Sequence, residues 1–478
     1  MLEKSKELFS KWNNSNIQYC HWKSNEHLDE GLEGNTDLDL FVLPKDEKRA
    51  ENILEQCNYL RCKVQKENEY RNVCEWIGFD FESGKLIHVH LHYEIITGTK
   101  FCKEYVFPIN DLIISTRVLD EATNVYITNP NLEIIILFCR IALKATNKSV
   151  IELSEEDKRE IRYLKERVSW VDVKENCILL LSDNAEAIYQ LIKKESLTNI
   201  EWNKVYLLAL KWLKPHRKYS HIHVYFRFKY FAIHRKIVSV LNNRFKNNII
   251  DQKTLPARAF EICFIGQDGS GKSTVSKEIC KWLNWKLSAR CFYLGSGDEF
   301  YNPWRRRLLK RLNKTDIRIF KPIRYWLYFS DLLGTARYVY RTTVNAKKYV
   351  EKGGFAIFDR FPQTVFQGIN DGPKIQSTLF DKVPKGFLWL AKWYATKEEY
   401  YLKKAEANSP GLVFKLLLTP EESIKRKPFE DIEAIKVKHE IIKSLKFDSS
   451  QVISVDAMRP YKEEVLEIKR VIWTKLQG

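Results

Sequence analysis

Between positions 260 and 283 an apolar run breaks into a glycine-rich turn and resumes as an amphipathic segment, an order few folds can accommodate. The run Ile262-Cys263-Phe264-Ile265 reads as a short buried strand that ends at Gly266. Gly266-Gln267-Asp268-Gly269-Ser270-Gly271-Lys272-Ser273 then follows the pattern of Gly, four residues, Gly-Lys and a hydroxyl residue, and Thr274 opens a predicted helix. Glycines let the backbone wrap closely around phosphates, with successive N–H groups turned inward as an anion nest. The helix N-terminus adds its partial positive charge. Gly266, Asp268, Gly269, Ser270, Gly271, Lys272, Ser273 and Thr274 are therefore the expected nucleotide-binding residues. Lys272 is expected at the β- and γ-phosphates of ATP, and the Ser273 hydroxyl on Mg2+.

From this loop onward strand and helix patterns alternate, which predicts an α/β domain with a parallel sheet covered by helices. Phe355-Ala356-Ile357-Phe358 reads as a second buried strand, with Asp359-Arg360-Phe361 at its carboxyl end. Ligands of open α/β sheets sit beyond the carboxyl ends of the strands. Asp359 is placed there to hold the metal, and Arg360 to clamp an acceptor phosphate.

These residues together resemble the thymidylate kinase family of nucleoside monophosphate kinases. The phosphate loop, the Asp359-Arg360-Phe361 triplet, the strand end Leu417-Leu418-Thr419-Pro420-Glu421, the basic Lys425-Arg426-Lys427 and the late strand Val452-Ile453-Ser454-Val455 carry the resemblance. It implies donor binding by Lys272, metal and acceptor roles for Asp359 and Arg360, and a lid arginine at Arg426. The family's Arg-Glu-Pro acceptor loop is absent; Gly295-Ser296-Gly297-Asp298 stands in its place, and Phe366-Gln367-Gly368 comes early for the family's Tyr-Gln-Gly. The acceptor is thus a nucleoside monophosphate of the dTMP kind or another small phosphorylated molecule. The run Trp304-Arg305-Arg306-Arg307 with Lys310-Arg311 is either a grip for such an acceptor or an exposed charged helix face.

In the first part of the chain, Trp22-Lys23-Ser24 precedes Asp37-Leu38-Asp39, whose carboxylates share one face of a predicted strand. Paired acids of this kind hold metal ions for nucleotidyl transfer. The spacing resembles the DNA polymerase β type of nucleotidyltransferase, although Lys23-Ser24 replaces that family's Gly-Ser. Where the family's third acid is expected, His88, His90 and His92 alternate along a strand instead. His90 can stand in as ligand beside Asp37 and Asp39, favouring Zn2+ or Mn2+. The alternative is a retained fold whose chemistry is lost or altered.

The chain of 478 residues predicts several domains. We expect a nucleotidyltransferase-like α+β domain over 1–145, a helical basic connector over 146–255 and the P-loop domain over 256–478. The net charge of +18 suits polyanionic partners. From Trp202 to Ile250 no Asp or Glu occurs, while cations interleave with aromatics. That stretch either binds a polyanion such as single-stranded nucleic acid, the less favoured reading, or is a helical linker with solvated cations. Ten scattered cysteines and the lack of an apolar leader predict a cytoplasmic protein with free thiols and no membrane span. A homodimer stays open. The expected activity is ATP-dependent phosphoryl transfer; the alternatives are a nucleotide-driven switch or a nucleotidyltransferase regulated by the P-loop domain.

Overall fold

The computed structural model describes residues 1–144, 151–245, 249–295, 321–367, 371–375, 377–380, 383–426, 432–447 and 449–478. The basic run 304–311, residues 296–298, Gly368 and Lys427, all singled out above, lie outside the described residues. The chain divides into two compact units, Met1–Asn247 and Asn248–Leu476.

In the first unit, strands β1 (Tyr19–His21), β2 (Asp37–Val42), β3 (Leu60–Cys62), β4 (Val73–Phe79) and β5 (Leu86–His92) precede a small ribbon of β6 (Ile96–Thr97) and β7 (Tyr105–Val106). Strands β8 (Val118–Asp120) and β9 (Val125–Ile127) complete a seven-stranded mixed sheet of order β3-β4-β5-β2-β1-β9-β8. Period-two alternation gives this sheet two different faces. Leu38, Leu40 and Val42 of β2, with Ile87, Val89 and Leu91 of β5, pack into a core with Leu8, Phe9 and Trp12 of the first helix. The alternate positions Asp37, Asp39, His88, His90 and His92 therefore occupy the other face.

The helices Pro130–Lys144, Glu155–Lys165, Trp170–Leu181, Ala185–Lys193 and Asn199–Leu213 share one core with Cys20, Trp22 and Phe41 of that sheet. Three zones were expected and two units are observed, because these helices have their buried faces in a core they hold in common with the strands. The most apolar helix, Pro130–Lys144, is buried from Leu132 to Leu143. Among the described residues no helix is long and apolar enough to cross a membrane.

The second unit carries β10 (Glu261–Gly266), β11 (Ala289–Tyr293), β12 (Phe355–Asp359), β13 (Leu412–Leu417) and β14 (Gln451–Asp456). They form a five-stranded sheet of order β11-β12-β10-β13-β14, parallel throughout. β10 and β12 are continuous apolar runs because both faces of a parallel sheet are covered. The long helix Lys321–Glu351 packs beside Leu388–Glu406, with Phe329 against Tyr394 and Tyr340 against Tyr401 at ring-centroid distances of 6.1 and 6.0 Å. Strand order reverses around β10, and its carboxyl end is where such sheets place a ligand. Phe264 pairs with Asp359 and Gly266 with Leu416, which brings three strand ends together at the glycine-rich turn.

Candidate functional site

The loop after β10 keeps its shape for reasons residue chemistry makes plain. A Cβ on Gly266 would stand 2.5 Å from Ser270 Oγ and 2.6 Å from the Leu416 carbonyl oxygen, so only glycine fits against β13. Gly269 and Gly271 have φ of +86° and +84°, the left-handed region that side chains penalise. Gln267 anchors the turn to the end of β13. Its amide donates to the Leu418 carbonyl at 3.1 Å, its oxygen accepts from the Leu418 N–H at 3.2 Å, and it also touches His439 Nδ1.

Lys272 opens the helix Lys272–Leu283 and is buried. Its ammonium group donates to the carbonyls of Gly266 at 2.9 Å and Gln267 at 2.5 Å. Burial, and secondarily the nearby Arg360, pull its pKa from 10.5 down to about 8. Ser273 Oγ donates to Asp359 Oδ2 at 2.5 Å. The other carboxylate oxygen, Oδ1, is buried without a hydrogen-bond partner, a lone acceptor beside a hydroxyl. That donor set suits a hard oxygen-liking cation such as Mg2+.

Arg360 follows Asp359 with φ of +74°, uncommon for a residue with a side chain. Its N–H donates to the Phe264 carbonyl at 3.1 Å, fixing the turn between β12 and β10. The guanidinium reaches Asp268 Oδ1 at 3.3 Å and Asp371 Oδ2 at 3.7 Å. Lys438 approaches Asp268 Oδ2 at 3.3 Å. Burial works against the charged Asp268, yet Lys272, Arg360 and Lys438 outweigh it and hold the carboxyl below its ordinary value. Burial raises Asp371 despite Arg360 and Lys374. Arg426 lies over the loop, donating to the Gly269 carbonyl at 3.3 Å and the Ala457 carbonyl at 3.4 Å while pairing with Glu422 at 3.0 Å.

The fold thus brings Asp268, Lys272, Ser273, Asp359 and Arg360 together, with Arg426 at the loop's rim. Sequence reasoning missed Gln267 as an anchor, Asp371, Lys438 and His439. Gln267 lies in the loop at a position the pattern leaves free, and its partner Leu418 is far along the chain; Asp371, Lys438 and His439 themselves come from distant turns and helices that nothing local marks.

In the first unit, parallel pairing of β2 with β5 sets Asp37 beside His88 and Asp39 beside His90. His88 Nδ1 lies 2.8 Å from Asp37 Oδ1, and His90 Nδ1 lies 3.4 Å from Asp39 Oδ1. Lys23 Nζ is 2.8 Å from Asp39 Oδ1 and His92 Nε2 is 3.5 Å from it. Burial pushes Asp39 up, but Lys23 and hydrogen bonds from His90 and His92 hold its carboxyl well below the usual range. Burial pushes His92 down to about 4.

An acid from a neighbouring strand also stands by the histidines. It is Glu75 from the preceding strand β4, paired with His90 in register and placing its oxygens 3.1 Å from His88 Nε2 and 3.6 Å from His90 Nε2. It escaped notice because it comes before the histidines in sequence, on their antiparallel neighbour. Asp37, His88 and His90 each present a ligand atom, all within 4.8 Å of one another, as do Asp39, His90 and His92. Cations gather nearby. Lys23 and Arg140 flank the Trp22 ring at 5.1 and 5.4 Å. Burial together with Lys23 and Arg140 brings Lys103 down to about 8, while Arg140, burial and Lys103 bring Lys144 down to about 6.

The loop, the strand ends and the buried lysine make the second unit a parallel α/β domain with a glycine-rich loop at the carboxyl end of its central strand. Two relatives from Escherichia coli, of strains K12 and O6:H1, are each described as the uncharacterized ATP-binding protein YghR; both are 24% identical over 230 residues, covering 44% of this chain and 86% of the relative. Two solved structures of deoxyadenosine kinase from M. mycoides are also similar. The one with products dCMP and a flexible dCDP is 18% identical, covers 44% of this chain and 97% of its own, and has a TM-score of 0.27. The one with dATP is 21% identical, covers 44% and 98%, and has a TM-score of 0.26. No family model matches the chain.

Proposed function

We propose that the unit Asn248–Leu476 transfers the γ-phosphoryl group of ATP to a nucleoside monophosphate of the dTMP kind or to another small phosphate-bearing acceptor. One observation carries the reading: Lys272, the Ser273–Asp359 pair and Arg360 meet at adjoining strand ends around one glycine-rich turn. The description of the Escherichia coli relatives as ATP-binding supports the donor.

In this mechanism Lys272 exchanges its two carbonyl acceptors for the β- and γ-phosphate oxygens of ATP, where a cation offsets charge that grows in transfer. Loop N–H groups and the helix N-terminus hold the phosphates. Ser273 and Asp359 would hold Mg2+, which neutralises charge on the phosphates when bound. Arg360, kept in place by Asp268 and Asp371, orients the acceptor's phosphate, and Arg426 attends the transferring group from the rim. A switch that only binds nucleotide needs no acceptor clamp, so Arg360 favours the kinase over that alternative.

The test is transfer of label from ATP to a panel of nucleoside monophosphates and phosphorylated sugars. Arg360→Ala should leave Mg-ATP affinity within about threefold yet cut kcat/KM for the acceptor by about a hundredfold, since a charged hydrogen-bonded contact is worth a few kcal/mol. No acceptor anywhere in the panel, with ATP binding intact, would favour the switch.

A second reading concerns the first unit, which we infer to be a nucleotidyltransferase-like, metal-dependent module. The in-register pairing of Asp37 and Asp39 with His88 and His90 favours it. The imidazoles fit Mn2+ or Zn2+ better than Mg2+, and the cluster of Lys23, Lys103, Arg140 and Lys144 fits a phosphorylated ligand beside the metal. Lys23, at 2.8 Å from Asp39 Oδ1, would compete with a metal for that oxygen.

A further inference from the structure

The helix His221–Phe245 presents an apolar stripe that nothing in the phosphate-loop site or the metal cluster uses. Ile222, Phe226, Tyr230, Ile233, Ile237 and Val240 recur three or four residues apart and are each between 52% and 71% exposed. At 100° per residue they fall within an arc of about 80°. The face opposite is the one that holds the helix to its own unit. There Val224 and Phe231 are buried, Arg227 Nε donates to the Phe101 carbonyl at 2.7 Å, and Cys102 Sγ lies 3.6 Å from the Val224 carbonyl oxygen. The helix is therefore laid lengthwise on the body, with an apolar strip about 27 Å long turned outward.

One edge of the strip is cationic and the other carries imidazoles. Lys229 and Lys236 line one side, His223 and His234 the other, and all are exposed. No acidic residue occurs between positions 202 and 250. This charge pattern selects the occupant. A second copy docking stripe to stripe would set lysine and histidine against lysine and histidine, with no carboxylate on either helix to pair them. A bare polyanion would satisfy the cations and leave four aliphatic side chains in water. An anionic lipid surface satisfies both. Aliphatic and aromatic side chains enter the boundary of the acyl region, while lysines reach sideways to the headgroups along their own methylene stems.

We propose that the His221–Phe245 helix lies in the interface of an anionic membrane and holds the chain there without spanning it. Tyr225 and Tyr230 fit that level, with rings in the apolar layer and hydroxyls at its polar edge.

The test is co-sedimentation of the full chain with vesicles of phosphatidylcholine alone or with 30 mole percent phosphatidylglycerol, in ~0.1 M salt, where surface charge is only partly screened. Binding is expected for the anionic vesicles only. Ile233→Glu with Ile237→Glu, and separately Lys229→Glu with Lys236→Glu, should each weaken it at least about tenfold. All four positions are exposed, so thermal melting should match the parent chain and exclude misfolding as the cause. Ile237→Trp should show more indole emission quenched by brominated acyl chains than the parent chain with its 13 tryptophans. Equal binding to neutral and anionic vesicles would overturn the proposal. So would indifference to the isoleucine changes, which would mean a simple polyanion patch. A parent chain that ignores vesicles but becomes a smaller oligomer with Ile233→Glu would replace the membrane with a second copy.

Discussion

Lys272 offers a measurement in which stability and ligand binding should move in opposite directions. Its ammonium is buried against two carbonyls, and its pKa falls from 10.5 to about 8. The sign follows from proton counting. Between about pH 8 and 10.5 the unfolded chain keeps this proton while the folded chain has lost it, so stability rises with pH across that window. Below about pH 8 both states are charged and the folded state carries the full cost of burying the cation. At about 1.4 kcal/mol per pH unit the fall amounts to about 3 kcal/mol. Lys272→Met removes that cost and takes a donor from two loop carbonyls; Gln267 still accepts from the Ser270 N–H at 3.2 Å, so the loss is at most about 1–3 kcal/mol, the cost of one buried unmet acceptor at Gly266.

The variant should therefore melt within a few degrees of the parent at pH 7, or above it, and bind Mg-ATP undetectably. Melting followed at pH 7, 8, 9 and 10 isolates the lysine, because every other titrating group is common to both proteins. The parent should gain stability relative to Lys272→Met by about 3 kcal/mol over that range. In the parent, Mg-ATP affinity should fall by up to about tenfold per pH unit above pH 8, as binding must restore the proton. Parallel pH profiles for the two proteins would refute the burial argument; a parent that never binds Mg-ATP would refute the site itself.

Gly266→Ala should lower thermal stability by about 1–3 kcal/mol, the usual cost of overpacking, because a Cβ there meets the Leu416 carbonyl oxygen of a neighbouring strand. Differential scanning calorimetry checks it. Asp359→Asn should keep the fold and reduce turnover about a hundredfold or more, with the loss steepest at low Mg2+; single-turnover assays over a Mg2+ series are the readout. His90→Ala should weaken Mn2+ binding to the full chain at least about tenfold, while Lys272→Met leaves it unchanged. Manganese paramagnetic resonance distinguishes these, and equal Mn2+ affinity in parent and His90→Ala would count against the cluster as a metal site.

Much of this molecule could be read before any coordinate was known. The turn at Gly266–Ser273 was legible because left-handed backbone at Gly269 and Gly271 and close approach at Gly266 call for glycine at fixed positions. Period-two spacing was enough to put Asp37 and Asp39 on one strand face, and His88, His90 and His92 on another. Arg360 was legible only through its place after an apolar run, and its company was not: Asp268 lies before it in the chain and Asp371 after it. What only tertiary structure decided is pairing. Parallel register between β2 and β5 set the acids against the imidazoles, and antiparallel register between β4 and β5 brought in Glu75. The shared core that joined the helices to the first sheet was equally hidden, since hydrophobic spacing tells which face is buried and not against what. Local chemistry is written in neighbouring residues; contacts between strands far apart in sequence depend on which apolar faces find one another as the chain collapses.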